Sequence, residues 1–217
     1  MEKIKVMSVF GTRPETIKMA PLVKELERRE EFESLVCVTA QHRQMLDQVL
    51  EAFSITPDYD LDIMQPGQTL SDITARVLKG LEGVIQEVKP DMVLVHGDTT
   101  TTFAGALAAY YGQTAVGHVE AGLRTYDKYS PFPEEMNRKL VSAIADLYFC
   151  PTVNNKNNLL KEGITKGLFI TGNTVIDALK TTVREDYHFS TEALNHLPYG
   201  EKKILLVTCH RRENYGE

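Results

Sequence analysis

The stretch Met92–Arg138, MVLVHGDTTTTFAGALAAYYGQTAVGHVEAGLRTYDKYSPFPEEMNR, decides the fold. It contains two apolar runs, Met92–Val95 and Ala115–Val119, each short enough and continuous enough to be a buried parallel strand. The first ends in His96-Gly97-Asp98, and the second contains His118 and ends in Val119-Glu120. Gly122, Arg124, Pro131, Pro133 and the pair Glu134-Glu135 follow before a helix resumes. In an open α/β sheet, ligands bind outside the carboxyl ends of the strands, which is where these histidines and carboxylates fall.

Outward from this stretch, the chain alternates strands and helices. Ile4–Phe10 reads as a first strand, and Gly11-Thr12-Arg13-Pro14-Glu15 turns it into a helix from about Pro14 to Arg29, with proline in the first turn and an acid at the positive end. No G-x-G-x-x-G fingerprint is present there, so a dinucleotide is not implied. Leu35–Thr39 is a second strand, and Met45, Leu46, Val49, Leu50 and Phe53 recur at helical spacing. A connection from Ser54 to Gly67 holds a short strand near Leu61. Thr69 or Ser71 then caps a long helix that Pro90 terminates. After Met92–Val95, the run Thr99–Thr102 caps a small-residue helix over Phe103–Tyr111. Further helices are expected over Glu134–Ala145, from Thr152 to Glu162 and over Val175–Val183, with strands at Leu147–Cys150 and Leu168–Thr171. This is an α/β chain with a Rossmann-like, doubly wound parallel sheet. Residues 1–171 make the N-terminal domain, and 172–202 a helix and interdomain connection. Residues 203–217 make the first strand, Lys203–Thr208, and loop of an incomplete second domain, since a parallel strand needs neighbours and a crossover.

Composition narrows the function. The chain has 217 residues, 42% hydrophobic and 25% charged, which are ordinary globular values. A net charge of −6 argues against a nucleic-acid partner. Cys37, Cys150 and Cys209 are far apart and lack metal-ligand spacing, which fits a reduced, cytoplasmic setting. No apolar stretch approaches the roughly 20 residues of a membrane span, and the apolar run at the N-terminus is too short for a signal peptide.

The chemistry-bearing groups are cations (Arg13, Lys18, Arg124, Arg138, Arg211, Arg212), carboxylates (Asp98, Glu120, Glu134, Glu135) and histidines (His96, His118, His210). Arginines beside helix N-termini suit phosphate. Carboxylates near a phosphate are better explained as acids, bases or hydroxyl binders. Structural alternatives stand beside each. Asp98 can cap the threonine helix, Glu135 can be solvated or paired with Lys139, and histidines at strand ends are often hydrogen-bonded scaffold. The set His96, Asp98, His118 and Glu120 has only generic metal spacing, so no metal is expected there, and without a dinucleotide fingerprint no cofactor is expected either. Glu120, between an apolar strand and Ala121-Gly122, is expected to have its pKa raised by burial.

Seven motifs carry a resemblance: GTRPE at Gly11–Glu15, KMAP at Lys18–Pro21, HGDT at His96–Thr99, HVEAGLRT at His118–Thr125, PFPEEMNR at Pro131–Arg138, TGNTVID at Thr171–Asp177 and HRREN at His210–Asn214. Together, in order across the chain, they resemble the non-hydrolysing UDP-N-acetylglucosamine 2-epimerases. The resemblance implies two Rossmann-like domains in a glycosyltransferase-B arrangement, with the second truncated here. It also implies interconversion of UDP-N-acetylglucosamine and UDP-N-acetylmannosamine for bacterial surface polysaccharides, by a homodimer. Carbon 2 of the sugar has no adjacent carbonyl, so the family eliminates UDP to a 2-acetamidoglucal and adds it back.

By motif, Asp98, Glu120, Glu134 and His210 are then catalytic, and Arg13, Lys18, Arg138 and Asn173 bind substrate. Gln41, Gln44 and Gln68 match residues through which many members bind a second UDP-N-acetylglucosamine as activator, although Gly67 stands where several carry arginine. Members continue for about another domain, roughly 150 residues, which binds the uridine, so the 217-residue chain alone is expected to be inactive. A hydrolysing epimerase, a glycosyltransferase and a non-catalytic nucleotide-sugar sensor are the alternatives.

Overall fold

The computed structural model describes residues 3–40 and 43–207. Its strands are β1 (Ile4–Phe10), β2 (Phe32–Val38), β3 (Tyr59–Asp60), β4 (Met92–His96), β5 (Ala115–Val119), β6 (Leu147–Cys150) and β7 (Leu168–Ile170). They form a single parallel sheet in the order β3-β2-β1-β4-β5-β6-β7. Eight helices occur among the described residues: α1 (Arg13–Arg28), α2 (Arg43–Ala52), α3 (Leu70–Val88), α4 (Thr100–Tyr111), α5 (Glu134–Ile144), α6 (Val153–Lys161), α7 (Val175–Thr182) and α8 (Glu192–Asn195).

Strand alternation sorts side chains onto two faces. Met7, Val9, Val93, Val95 and Val116 join the cluster built with α3, α4 and α5. Val6, Phe10, Leu94 and Val119 join the one built with α1 and α2. The order reverses between β1 and β4, whose following helices leave to opposite faces and open a crevice at their carboxyl ends. On the α1 face, Met92, Leu94, Val119, Leu147 and Phe149 help line an apolar groove of about 420 Å³.

The longest helix shows why the sequence folds this way. Thr69 caps α3 by accepting from the Asp72 amide at 3.2 Å, and the Asp72 carboxylate accepts from the Thr69 amide at 2.8 Å. Ile73, Val77, Leu81, Val84, Ile85 and Val88 are its buried stripe, and Lys89 ends it in the left-handed conformation just before Pro90. Its neighbour α4 is made of small residues because it packs closely on the sheet. A Cβ at Gly105 would already lie 3.2 Å from the Val95 side chain.

Several boundaries differ from the sequence reading. β2 begins at Phe32 rather than Leu35, because its pairing with β1 extends back to Ile4. The connection strand is only Tyr59–Asp60. α4 starts at Thr100 rather than Phe103, with Thr99 as its cap, since burial of Thr100, Thr101 and Thr102 overrides their weak helix propensity. Lys203–Val207 adopt no strand, and no pairing partner for them occurs among the described residues. Cys37 and Cys150 are buried free thiols, while Cys209 lies outside the described residues.

Residues Met1–Thr182 form one compact unit, so α7 belongs with the sheet. The second unit begins at Val183. Its polar segment has local order of its own. The Phe189 ring packs 5.0 Å from Tyr187 and 6.4 Å from Tyr199, and the Asn195 amide bonds both the Phe189 N–H and its carbonyl at 2.8 Å. No described helix is long and apolar enough to cross a membrane.

Leu81 is fully buried in the middle of α3, whereas Thr69 acts only at its first turn. Leu81→Ala should cost about 2–5 kcal/mol and Thr69→Ala about 1 kcal/mol in urea unfolding. The opposite order would contradict this account of the core.

Candidate active site

The loops at the carboxyl edge gather most of the groups singled out by sequence. Arg13 is exposed at the first position of α1, directly after the Gly11 turn. That turn has no room for a side chain, because the Thr39 hydroxyl occupies the place a Cβ would take at Gly11.

Glu120 leaves β5 with φ of +62°, a left-handed conformation that a glutamate adopts only at a cost. Its carboxylate takes both hydrogen bonds from the Lys18 ammonium, at 2.6 and 2.8 Å, and a third from the Asn173 amide at 2.9 Å. The His96 ring approaches to 3.6 Å through Nε2. His96 is 3% exposed, and neither of its ring nitrogens has a hydrogen-bond partner among the described residues. Burial pushes the Glu120 carboxyl up, but the His96 ring and the Lys18 ammonium outweigh it and bring it down to about 2. This corrects the expectation of a raised value. The burial is real, but Lys18 comes from α1 and His96 from β4, and their convergence is set by the fold.

Asp98 is held from α5. Arg138 clamps one of its carboxylate oxygens through Nε at 2.9 Å and a terminal nitrogen at 2.6 Å, and the Asn137 amide donates to the Asp98 carbonyl at 2.8 Å. Arg138 also bonds Glu135 at 3.2 Å, so its guanidinium is engaged by two carboxylates. Glu135 is fully buried, contrary to the reading of it as solvated or paired with Lys139. It accepts from the Thr125 and Tyr126 amides at 3.0 and 3.1 Å. Burial pushes its carboxyl up, but those amides and Arg138 more than offset this and hold it below its ordinary value. Glu134, one residue earlier, has a buried Oε2 with no hydrogen-bond partner among the described residues.

Arg124, grouped by sequence with the phosphate-suited cations, is turned elsewhere. Its guanidinium bonds Glu162 at 2.7 and 2.8 Å and Ser142 at 2.9 Å. His118 is also scaffold. It shares strand parity with Val116 on the α4 side of the sheet, while His96 shares parity with Leu94 on the α1 side. The His118 Nε2–H donates to the Gly97 carbonyl at 2.8 Å, and burial pushes its pKa down to about 4. Among the described residues, no three or more His, Cys, Asp and Glu side chains are grouped to hold a metal. Gln68 accepts from the Gln65 amide at 3.1 Å and Gly67 has φ of +71°. Gln44 lies in α2, whereas Gln41, His210, Arg211 and Arg212 lie outside the described residues.

The His118 shift makes a prediction about stability. Its folded pKa of about 4 is below the ordinary 6.5, so the unfolded chain binds protons first. Stability is complete above that ordinary value and falls as pH drops toward 4, by up to about 3 kcal/mol. His118→Asn, which does not titrate, should flatten this limb in urea unfolding at pH 7 and 4.5. Equal slopes in the two proteins would contradict it.

With this geometry in hand, similarity to known proteins is informative. Residues 24–217 match the family model described as UDP-N-acetylglucosamine 2-epimerase. The UDP-N-acetylglucosamine 2-epimerase of Bacillus subtilis is 63% identical over 218 aligned positions, covering 100% of this chain and 56% of the relative. The chain thus spans little more than half the length of that protein. The crystal structure of the Neisseria meningitidis enzyme bound to UDP-GlcNAc is 58% identical, with a TM-score of 0.80 over 82% of this chain and 48% of that one. A lipopolysaccharide outer core galactosyltransferase, 12% identical with a TM-score of 0.54 over 78% of this chain and 45% of that one, shares the fold alone. The α/β sheet, the motifs and these similarities agree, and the chain belongs to the UDP-N-acetylglucosamine 2-epimerase family.

Proposed function

We propose that this chain supplies one wall of a non-hydrolysing epimerase site that interconverts UDP-N-acetylglucosamine and UDP-N-acetylmannosamine for bacterial surface polysaccharides. The observation that carries the reading is the gathering of Asp98, Glu120 and Glu134 at one sheet edge. Glu120 is bonded to Lys18, and the helix that begins at Glu134 is docked onto Asp98 through Asn137 and Arg138. Two faces of a sugar need two proton-transfer groups, and these carboxylates come from separate loops.

In the forward direction a carboxylate takes the carbon 2 proton. The C–H electron pair forms the carbon 1–carbon 2 double bond, and the carbon 1–oxygen bond breaks with its pair leaving on the diphosphate. The product pair is 2-acetamidoglucal and UDP. Delivery of a proton to carbon 2 on the other face and attack of the UDP oxygen on carbon 1 complete the exchange. Arg13 at the α1 N-terminus is suited to the developing charge on the diphosphate, where an amide dipole and a guanidinium act together. Glu120, ionised at neutral pH with its pKa lowered by its neighbours, has no proton of its own to donate in the resting site. Lys18 and Asn173 fix it in place, so their contribution to substrate binding passes partly through Glu120. The homodimer reading draws support from Tyr110 and Tyr111, both exposed on α4, and from a groove of about 250 Å³ between α3 and α4.

The test uses the chain continued by the C-terminal part of the Bacillus subtilis relative, incubated with UDP-N-acetylglucosamine in deuterated water. Both UDP-linked epimers should carry deuterium at carbon 2. Conversion without deuterium would sink the proton-exchange mechanism, free N-acetylmannosamine would favour hydrolysis, and the absence of conversion would sink the activity. The 217-residue chain alone should not turn over. Glu120→Gln in the composite enzyme should lower kcat by about 10²–10⁴-fold without loss of folding by circular dichroism. Unchanged kcat would remove Glu120 from the chemistry.

A further inference from the structure

The four-threonine run after Asp98 and the glutamate three residues after Thr12 have no part in the proton chemistry, yet Glu15 and all of the threonines but the half-buried Thr99 are buried. Glu15 is 2% exposed, and Thr39, Thr101 and Thr102 are fully buried. One Glu15 oxygen accepts from the Thr12 amide at 2.8 Å and the Gly11 amide at 3.2 Å. The other accepts from the Thr99 hydroxyl at 2.7 Å, with the Thr102 hydroxyl 3.2 Å away. Beneath them, the Thr39 and Thr101 hydroxyls are 3.1 Å apart. A single carboxylate therefore spans the crevice where the strand order reverses. It joins the turn that carries Arg13 to the turn that carries Asp98, and both of its oxygens are satisfied.

Ordinary helix capping explains only half of this arrangement. The Thr12–Glu15 spacing is that of a capping box, which would use the Thr12 amide. It does not require the second oxygen to reach the cap residue of a different helix, 84 positions along the chain. Backbone pairing of β1 with β4 ends at Val9 and Val95, and the two helices lie on opposite faces of the sheet, so beyond that last pair packing of α1 against α4 does not hold these turns together.

We propose that Glu15, acting with the Thr99 hydroxyl, is a positioning residue for the epimerisation: it sets the separation of the Arg13 turn from the Asp98 turn across the crevice. This rests on the proposed reaction. Departure of the diphosphate toward Arg13 and proton transfer beside Asp98 belong to one elimination, so a shift of about 1 Å between the turns should slow it by up to about 10²-fold.

The experiment uses the composite enzyme with Glu15→Gln and, as a less disruptive change, Thr99→Val, with Thr99→Ser as the conservative control. Glu15→Gln and Thr99→Val should each lower kcat/KM by about 10–100-fold, and Thr99→Ser, which keeps the hydroxyl, should stay within about threefold of the parent. In an Arg13→Ala background the two damaging changes should cost less than about threefold more, because the turn they position has already lost its cation. A merely structural role would lower the thermal midpoint and act equally in both backgrounds. Full, independent losses in the Arg13→Ala background, or kcat/KM unchanged in folded Thr99→Val, would overturn the proposal while leaving the epimerase reading intact. Lack of turnover in the parent composite enzyme would instead remove the reading on which it rests.

Discussion

A parallel sheet delivers the carboxyl end of every strand to one edge, and here the order reverses between β1 and β4. The chain cannot close that gap with helices, because α1 and α4 go to opposite faces. Beyond the last backbone pair, Val9 with Val95, side chains bridge it. Glu15 joins the β1 and β4 turns, and Glu120 at the end of β5 reaches Lys18 on α1. Asp98 after β4 is tied to α5 by Arg138 and Asn137. The polar groups at this edge thus hold the crevice in shape, and some of them line it.

Four glutamates at the same edge differ in what burial does to them. Glu15 and Glu135 are sealed in and bonded mainly to backbone amides and hydroxyls, the arrangement that makes a buried carboxylate affordable. Glu120 is bonded to cationic and amide side chains from a left-handed backbone position. Glu134 keeps a buried oxygen with no partner among the described residues. Strain and an unmet hydrogen-bonding group are features that native structures tend to retain at sites that work on ligands. They separate Glu120 and Glu134 from Glu15 and Glu135, though all four share one residue type.

Much of this was legible in the sequence. Apolar runs located β1, β4, β5 and β6 because a buried parallel strand must be apolar on both faces. Thr69 and Pro90 bounded α3 through local chemistry. What the sequence left unreadable depends on tertiary pairing. The lowered pKa of Glu120 follows from His96 and from Lys18, the latter 102 positions away, and the engagement of Arg138 follows from Asp98, 40 positions away. Arg124 looked like a phosphate ligand until its partners Glu162 and Ser142 were seen. His96 and His118 looked equivalent at their strand ends, and the parity that sends them to opposite faces emerged only once the register was known. The threonine run read as capping, which it is at Thr99, while its bridge to Glu15 crosses the sheet.

The proposed reaction requires cleavage of the carbon 1–oxygen bond rather than a proton exchange alone. The most direct measurement follows UDP-N-acetylglucosamine labelled with heavy oxygen at the position bridging carbon 1 and the diphosphate, in the composite enzyme. The account requires that label to scramble into the non-bridging positions of the β-phosphate as the second epimer appears. Epimerisation with the label retained wholly at the bridge would contradict it.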